Sequence, residues 1–337
     1  MGSHLVTVIL PTYNRKHLLI RAYESCMNQT NRDFDLIIVD NCSTDGTREF
    51  LGSIDQSGVA TRVIYNTANL GPRESVLRAF SAARTEWVTI LSDDDYLDDR
   101  FIERSVGVLE ATEADLVVVG YRVATLDGQI LSVIRPPACW LPPAAALVEG
   151  LEGRVVTAGV SGFFVRLAAA TAQPIPEYPK GFLEDTMLCF KAAVRNGVEL
   201  IDEVLYTRSI WEGSESSFSV ENSKMYLKAL VLFSEDLRKL VREHQLPPPV
   251  LSVVDGVQPV SHFARIILVP TIARGAVGSA DIVDVLRLLL AADARYWPHC
   301  LLYAVVGVVS CRWTLGIRRA GWTALRWLLH RLRRRLA

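Results

Sequence analysis

The sequence predicts an α/β fold: a doubly wound, mostly parallel sheet with helices on both faces, followed by a mainly α-helical carboxyl-terminal region. Three observations carry this. Apolar or β-branched runs of four to six residues alternate with helix-like stretches through the first hundred residues. Unbroken runs of that kind belong to strands covered on both faces, as parallel strands are. The polar residues gather at the carboxyl ends of those runs, which is where open α/β sheets bind ligands.

The first run, Leu5 to Leu10, stops at Pro11-Thr12-Tyr13-Asn14-Arg15, and a helix-like stretch continues to about Gln29. The second, Phe34 to Val39, ends at Asp40-Asn41-Cys42-Ser43-Thr44-Asp45-Gly46-Thr47, where Asp45-Gly46 reads as a turn and helix start. The third, Arg62 to Tyr65, leads into Asn69-Leu70-Gly71-Pro72-Arg73 and a helix to about Ala83. The fourth, Trp87 to Leu91, ends in Ser92-Asp93-Asp94-Asp95-Tyr96. Adjacent carboxylates repel by on the order of 1 kcal/mol per close pair in water, and by several times that near a protein interior. A divalent cation removes that cost, and hard oxygen ligands suit Mg²⁺ or Mn²⁺. The plainer alternative is an acidic surface turn.

Together ILPTYNR, VDNCSTDGT, the Asn-x-x-Gly segment and LSDDDYL resemble the family 2 glycosyltransferases of the GT-A fold, over roughly residues 5–216. The resemblance implies inverting transfer of a sugar from a nucleotide-diphosphate donor to an acceptor hydroxyl. By it, Asp40 reads uracil or thymine, Asp93 faces the ribose, Asp95 holds the metal, and Asp94 contributes to either. From the residues themselves, Pro11, Thr12, Tyr13, Asn14 and Arg15 leave the first strand where a nucleoside could lie. Tyr13 offers a stacking face and Arg15 a cation for phosphate. Asn69 belongs to the same nucleotide-binding set. Arg73 is read as a diphosphate contact or, alternatively, as a solvated helix-start cation. The metal bridges the phosphates and takes up charge on the leaving diphosphate.

Gly181-Phe182-Leu183-Glu184-Asp185-Thr186 places paired carboxylates in an otherwise apolar stretch, before an amphipathic run from Met187 to Asn196. It resembles the family's Glu-Asp motif. Asp185 is therefore assigned as general base and Glu184 as acceptor ligand or supporting partner, although both also suit a helix amino terminus. Upstream, Ala158-Gly159-Val160-Ser161-Gly162-Phe163-Phe164 offers small residues for close approach of donor sugar and acceptor, or simply a strand entry. One departure stands out: Trp211 occupies the place where the family carries a His, leaving Arg208, Glu212 or a serine to make that contact. No Gln-x-x-Arg-Trp motif appears, which argues against a processive polysaccharide synthase.

The chain of 337 residues is half apolar with net charge −1, enough for two domains. The expected division is a tag remnant at 1–4, a catalytic domain at 5–216 and a helical domain at 217–337. Six cysteines with no Cys-x-x-Cys pair suggest reduced thiols in the cytoplasm. Residues 294–337 contain nine arginines and no acid, so this tail carries +9 and residues 1–293 carry −10. Arginines at heptad spacing beside a Trp322, Leu325, Leu329, Leu332 and Leu336 stripe make a basic amphipathic helix. Such a helix suits peripheral contact with the inner face of a membrane; docking on the acidic catalytic domain or a homodimer interface would use the same residues. The expected partners are a nucleotide-sugar donor and a hydroxyl-bearing acceptor (glycan, lipid-linked glycan or small molecule), with no nucleic acid. Two rival classes remain: a sugar-1-phosphate nucleotidyltransferase, disfavoured because PTYNRKHLL supplies no glycine-rich loop, and a non-catalytic nucleotide-sugar binder, favoured by Trp211.

Overall fold

The structure, a computed structural model, describes residues 4–54, 58–151, 161–211 and 220–256. The first half runs β1 (Val6–Thr12), α1 (Lys16–Met27), β2 (Asp35–Asp40), α2 (Thr47–Ser53), β3 (Ala60–Tyr65), α3 (Gly71–Ala82), β4 (Trp87–Ile90), β5 (Tyr96–Leu97) and α4 (Phe101–Ala111). The second half runs β6 (Leu116–Thr125), β7 (Ile130–Ile134), β8 (Cys139–Leu141), α5 (Pro143–Leu151), β9 (Phe163–Arg166), α6 (Leu167–Thr171), α7 (Glu184–Asn196) and β10 (Val198–Ile210). Two more helices complete it, α8 (Val220–Glu243) and α9 (Pro248–Gly256).

Among the described residues the strands form one ten-stranded sheet in the order β3-β2-β1-β4-β9-β6-β10-β5, with β7 on β6 and β8 on β10. The four amino-terminal strands pair in parallel, as their apolar runs predict. β9 then enters antiparallel between β4 and β6, so the sheet is mixed in its second half. β1 and β4 are buried almost throughout because helices cover both faces. Alternation along β1 sends Val6, Val8 and Leu10 to one core with Leu19 and Tyr23 of α1. Ile9 points the other way, to a second core with Val76, Ala79 and Phe80 of α3. β3, at the sheet edge, is correspondingly half-exposed.

α7, whose first turn carries Glu184 and Asp185, packs on two sides. Leu188, Cys189, Ala192 and Ala193 join the second core. Met187, Phe190 and Val194 join a third core with Leu147 of α5, Phe233 and Leu237 of α8, and Val250 of α9. Burying a side chain of the Leu, Met or Phe kind contributes about 1.5–3 kcal/mol, so α7 is firmly placed. Its last turn is fixed as well, because Arg195 Nε donates to Asp115 Oδ2 at 2.9 Å. Among the described residues no helix is long and apolar enough to cross a membrane. The basic tail at 294–337 lies outside the described residues.

β10 carries a register shift between Ile201 and Tyr206, and such a bulge re-aims the strand beyond it. Beside that re-aimed stretch sits Gly162, with φ of +85°, and a Cβ there would overlap the Tyr206 ring. Gly162→Ala should therefore cost about 3 kcal/mol through overpacking and left-handed strain. The same change at Gly107 in α4, where the methyl meets open space, should not destabilise. Denaturant titrations of both variants check this; equal midpoints would contradict the packing described.

Candidate active site

The end of β4 turns tightly, with Asp95 N–H donating to Ser92 O at 3.1 Å. This turn sets Asp93, Asp94 and Asp95 side by side, and all three are buried. Each is met by donors from elsewhere in the chain. Thr12 Oγ1 donates to Asp93 Oδ2 at 2.8 Å, and Arg15 Nη1 to Asp93 Oδ1 at 3.1 Å. Ser92 Oγ donates to Asp94 Oδ1 at 2.6 Å, and Trp211 Nε1 to Asp94 Oδ2 at 3.0 Å. Ser161 Oγ donates to Asp95 Oδ2 at 2.7 Å, and the Ser209 backbone N–H to Asp95 Oδ1 at 2.9 Å. Arg21 braces the arrangement from behind, reaching Asp94 O and Ser209 Oγ, both at 2.7 Å.

The loops after β1 and β2 are stitched together beside this cluster. Asn14 N–H donates to Ser43 Oγ at 2.9 Å, and Thr44 N–H donates back to Asn14 Oδ1 at 2.7 Å. Asp45 accepts from Lys16 N and Thr47 N, the helix-start role expected of it. Asn14 and Cys42 both hold positive φ, at 51° and 68°. Asp40 is fully buried. It accepts from Arg48 Nε at 2.8 Å and from Ser43 N at 3.1 Å, and the Arg48 guanidinium lies over the Tyr65 ring. Asn41, Asn66 and Asn69 form a chain of amide hydrogen bonds at the ends of β2 and β3. Tyr13 and Tyr65 both expose their rings on this side, at 41% and 43%.

A second carboxylate site stands at the amino terminus of α7. Lys180 and Leu183 before it also hold positive φ, at 57° and 69°. Glu184 is buried and accepts from Tyr178 N at 2.9 Å, so it braces the approach to α7. Asp185 is partly buried, and the hydrogen bonds it accepts from Thr186 both land on Oδ1. Burial raises its pKa, while Thr186 and the Arg208 charge pull it down. Arg208 acts on Asp95 as well, so its field spans both carboxylate sites. Arg73 is turned towards α7: it donates to Ile175 O at 2.8 Å, pairs with Glu74, and its field reaches Glu184.

The sequence-predicted residues thus fall into three groups. Thr12, Arg15, Asp93, Asp94 and Asp95 share one hydrogen-bonded cluster. Pro11, Tyr13, Asn14, Asp40 and Asn69 belong to the adjoining loops. Glu184 and Asp185 form the first turn of α7, and Arg73 reaches Ile175 O, Glu74 and the field of Glu184. Ser161 falls in the small-residue segment noted above, but its bond to Asp95, like the parts played by Ser209 and Arg21, is not marked in the sequence. Hydroxyl, backbone N–H and guanidinium reach the cluster from 66 to 114 residues away in the chain.

Residues 7–155 match the family model described as glycosyl transferase family 2. This segment belongs to that family. The succinoglycan biosynthesis protein ExoO of Rhizobium meliloti is 28% identical over 196 residues, 58% of this chain and 53% of that protein. The match therefore spans about half the length of that curated relative. Among solved structures, Staphylococcus aureus TarS 1–349 superposes with a TM-score of 0.59 at 14% identity, covering 91% of this chain and 89% of that one. The mannosyltransferase PcManGT of Pyrobaculum calidifontis, solved with GDP-Man and Mn²⁺, gives 0.54 at 18% identity, covering 92% and 88%. At these identities the superpositions establish the fold, which is GT-A.

Whether a divalent metal fits this cluster is decided by the donor set. Among the described residues no three His, Cys, Asp or Glu side chains gather to hold an ion by themselves. Mg²⁺ and Mn²⁺ are commonly held by one or two carboxylates plus substrate phosphates, and the Asp93–Asp95 cluster can supply that share. Both oxygens of Asp95, the expected ligand, are taken by Ser161 and by a fixed backbone N–H. Asp94 is met by two side chains able to rotate away.

Burial pushes Asp93 up to about 6, against the pull of Arg15 and Thr12. Burial and the Asp94 charge push Asp95 up to about 7. The unfolded chain releases these protons near pH 4, roughly the ordinary aspartate value, and the folded protein only near 6 to 7. The folded state holds more protons across that window, so this cluster lowers stability as pH rises through it. The melting temperature of metal-free protein should carry a downward contribution between about pH 4 and 7 that Asp95→Asn flattens. Parallel profiles for the two proteins would contradict these assignments.

Proposed function

We propose that the protein is a metal-assisted, inverting glycosyltransferase that moves a sugar from a pyrimidine nucleotide-diphosphate donor, UDP- or dTDP-linked, to an acceptor hydroxyl. The observation that carries the reading is the buried, donor-braced cluster of Asp93, Asp94 and Asp95 at the end of β4, with a second carboxylate site, Glu184 and Asp185, in the first turn of α7. One site suits a leaving diphosphate and its metal, and the other suits proton abstraction. TarS has been solved with UDP-GlcNAc and PcManGT with GDP-Man and Mn²⁺, which supports a nucleotide-sugar donor and a divalent ion on this fold.

In this reading the nucleoside lies over the β1 and β2 loops, between the exposed rings of Tyr13 and Tyr65, with Asp40, Asn41 and Asn69 shaping the floor. Asp93, held by Thr12 and Arg15, faces the ribose. Arg15 and Arg208 supply positive charge along the diphosphate. A divalent ion bound here would act as Lewis acid for the departing diphosphate, held chiefly by Asp94, with Asp95 locking the turn that presents it. Asp185 accepts the acceptor proton as the hydroxyl oxygen bonds to the anomeric carbon and the bond to the diphosphate oxygen breaks. A raised carboxylate pKa suits a base working near neutrality. Glu184 keeps the α7 entry in place. Cytoplasmic location, with the basic tail at the membrane face and a lipid-linked acceptor, completes the proposal.

Asp185→Asn should retain the fold and binding of UDP or dTDP while lowering turnover about 10²-fold or more. Single-turnover assays with calorimetric binding check this, and near-normal turnover would remove Asp185 from the base role. Mn²⁺ should strengthen binding of the nucleoside diphosphate by about tenfold or more in native protein, and Asp94→Ala should abolish that gain. Equal affinity with and without chelator would contradict the metal assignment.

A further inference from the structure

Trp211 stands at the edge of the carboxylate cluster in a position that no step of the proposed reaction uses. Its Nε1–H donates to Asp94 Oδ2 at 3.0 Å. Its ring lies 5.4 Å from the Arg15 guanidinium carbon and meets His17 edge-on at 6.5 Å. Arg15 Nη1 in turn approaches Asp94 at 3.8 Å and Asp93 at 3.1 Å. The indole therefore grips both members of one ion pair: its face takes the cation and its N–H edge takes the anion, as the ring's charge distribution favours.

An indole N–H donates and cannot accept, so Trp211 offers a metal ion no ligand. It also occupies an oxygen the ion needs. Ser92 fills the other Asp94 oxygen. A bare divalent ion arriving at the cluster would break a hydrogen bond to a charged group and gain one carboxylate in return. An ion arriving with a diphosphate brings further oxygen ligands and can complete the exchange.

We propose that Trp211 is a positioning residue that holds Asp94 in reserve and makes divalent-metal binding conditional on a nucleoside diphosphate. The inference rests on the metal-assisted reading of the site. It gives Trp211 a definite job: the ion enters only with the diphosphate, and Asp94 trades its indole N–H for the ion at that moment.

The test uses the full chain and Trp211→Phe, which keeps an aromatic face beside Arg15 and removes the N–H. In calorimetric titrations, wild type should bind Mn²⁺ alone at least tenfold more weakly than Mn²⁺ in the presence of saturating UDP or dTDP. Trp211→Phe should bind Mn²⁺ alone about tenfold more tightly than wild type, the scale expected for one hydrogen bond to a charged group, and its metal–nucleotide coupling should shrink by the same factor. The emission assigned to Trp211 by difference from the variant should change when Mg²⁺ and the nucleotide are added together, and not with Mg²⁺ alone. If the variant folds poorly, lifetime-resolved emission of wild type provides the same readout. Unchanged Mn²⁺ affinity in Trp211→Phe, or emission blind to the ternary complex, overturns the role of Trp211 while leaving the metal site standing. Absence of any metal–nucleotide coupling in wild type overturns the metal reading and this inference with it.

Discussion

Three neighbouring aspartates withdrawn from water at the end of β4 constrain everything around them. Removing one partner from a buried charge typically costs about 3–5 kcal/mol, so each of these carboxylates needs donors that stay in place. The chain supplies them from separate elements: Thr12 and Arg15 after β1, Ser92 in the turn itself, Ser161 before β9, and Ser209 and Trp211 around the end of β10. The cluster is consequently a structural junction as much as a site. The antiparallel β9 and the bulged β10 exist where they do in a sheet whose β4 end must be met from both sides.

The second carboxylate site, at the start of α7, is held by different means. α7 is buried on two faces and pinned at its last turn by Asp115, which leaves its first turn free to present Asp185. Four of the five non-glycine residues with positive φ among the described residues lie in the loops after β1 and β2 or just before α7. Asn14, Cys42, Lys180 and Leu183 all take positive φ, a conformation that costs non-glycine residues of order 1–3 kcal/mol each. The three cores behind these loops are what allow such backbone to persist.

Much of this was legible in the sequence for a physical reason. Strands buried on both faces leave unbroken apolar runs, so β1, β2 and β4 could be read from Leu5–Leu10, Phe34–Val39 and Trp87–Leu91 within two residues of where they lie. The polar termini of those runs marked the site, and Glu184-Asp185 before an amphipathic run marked α7. Partnerships across the chain could not be read. Asp40 was expected to face a base, yet Arg48, in the helix just after it, occupies its carboxylate. Arg73 was read as a diphosphate contact or a solvated helix-start cation, and its bond to Ile175 O could not be read from either. Ser161 and Ser209 look like ordinary small residues until the fold brings them to Asp95. β9 is four residues long and inverts the sheet through pairing alone. A helical region after residue 217 was expected, but the packing of Phe233 and Leu237 against α7 was not legible.

Whether the two carboxylate sites act on one nucleotide sugar is tested most directly by incubating the full chain with Mn²⁺ and a panel of nucleotide sugars and reading release of the nucleoside diphosphate. One UDP- or dTDP-sugar should be turned over, slowly to water and faster with a hydroxyl acceptor, and Asp185→Asn should abolish the acceptor-stimulated rate. Binding of a nucleotide sugar with no release from any donor, in the presence of metal and acceptor, would contradict this and leave a binding protein on a glycosyltransferase fold.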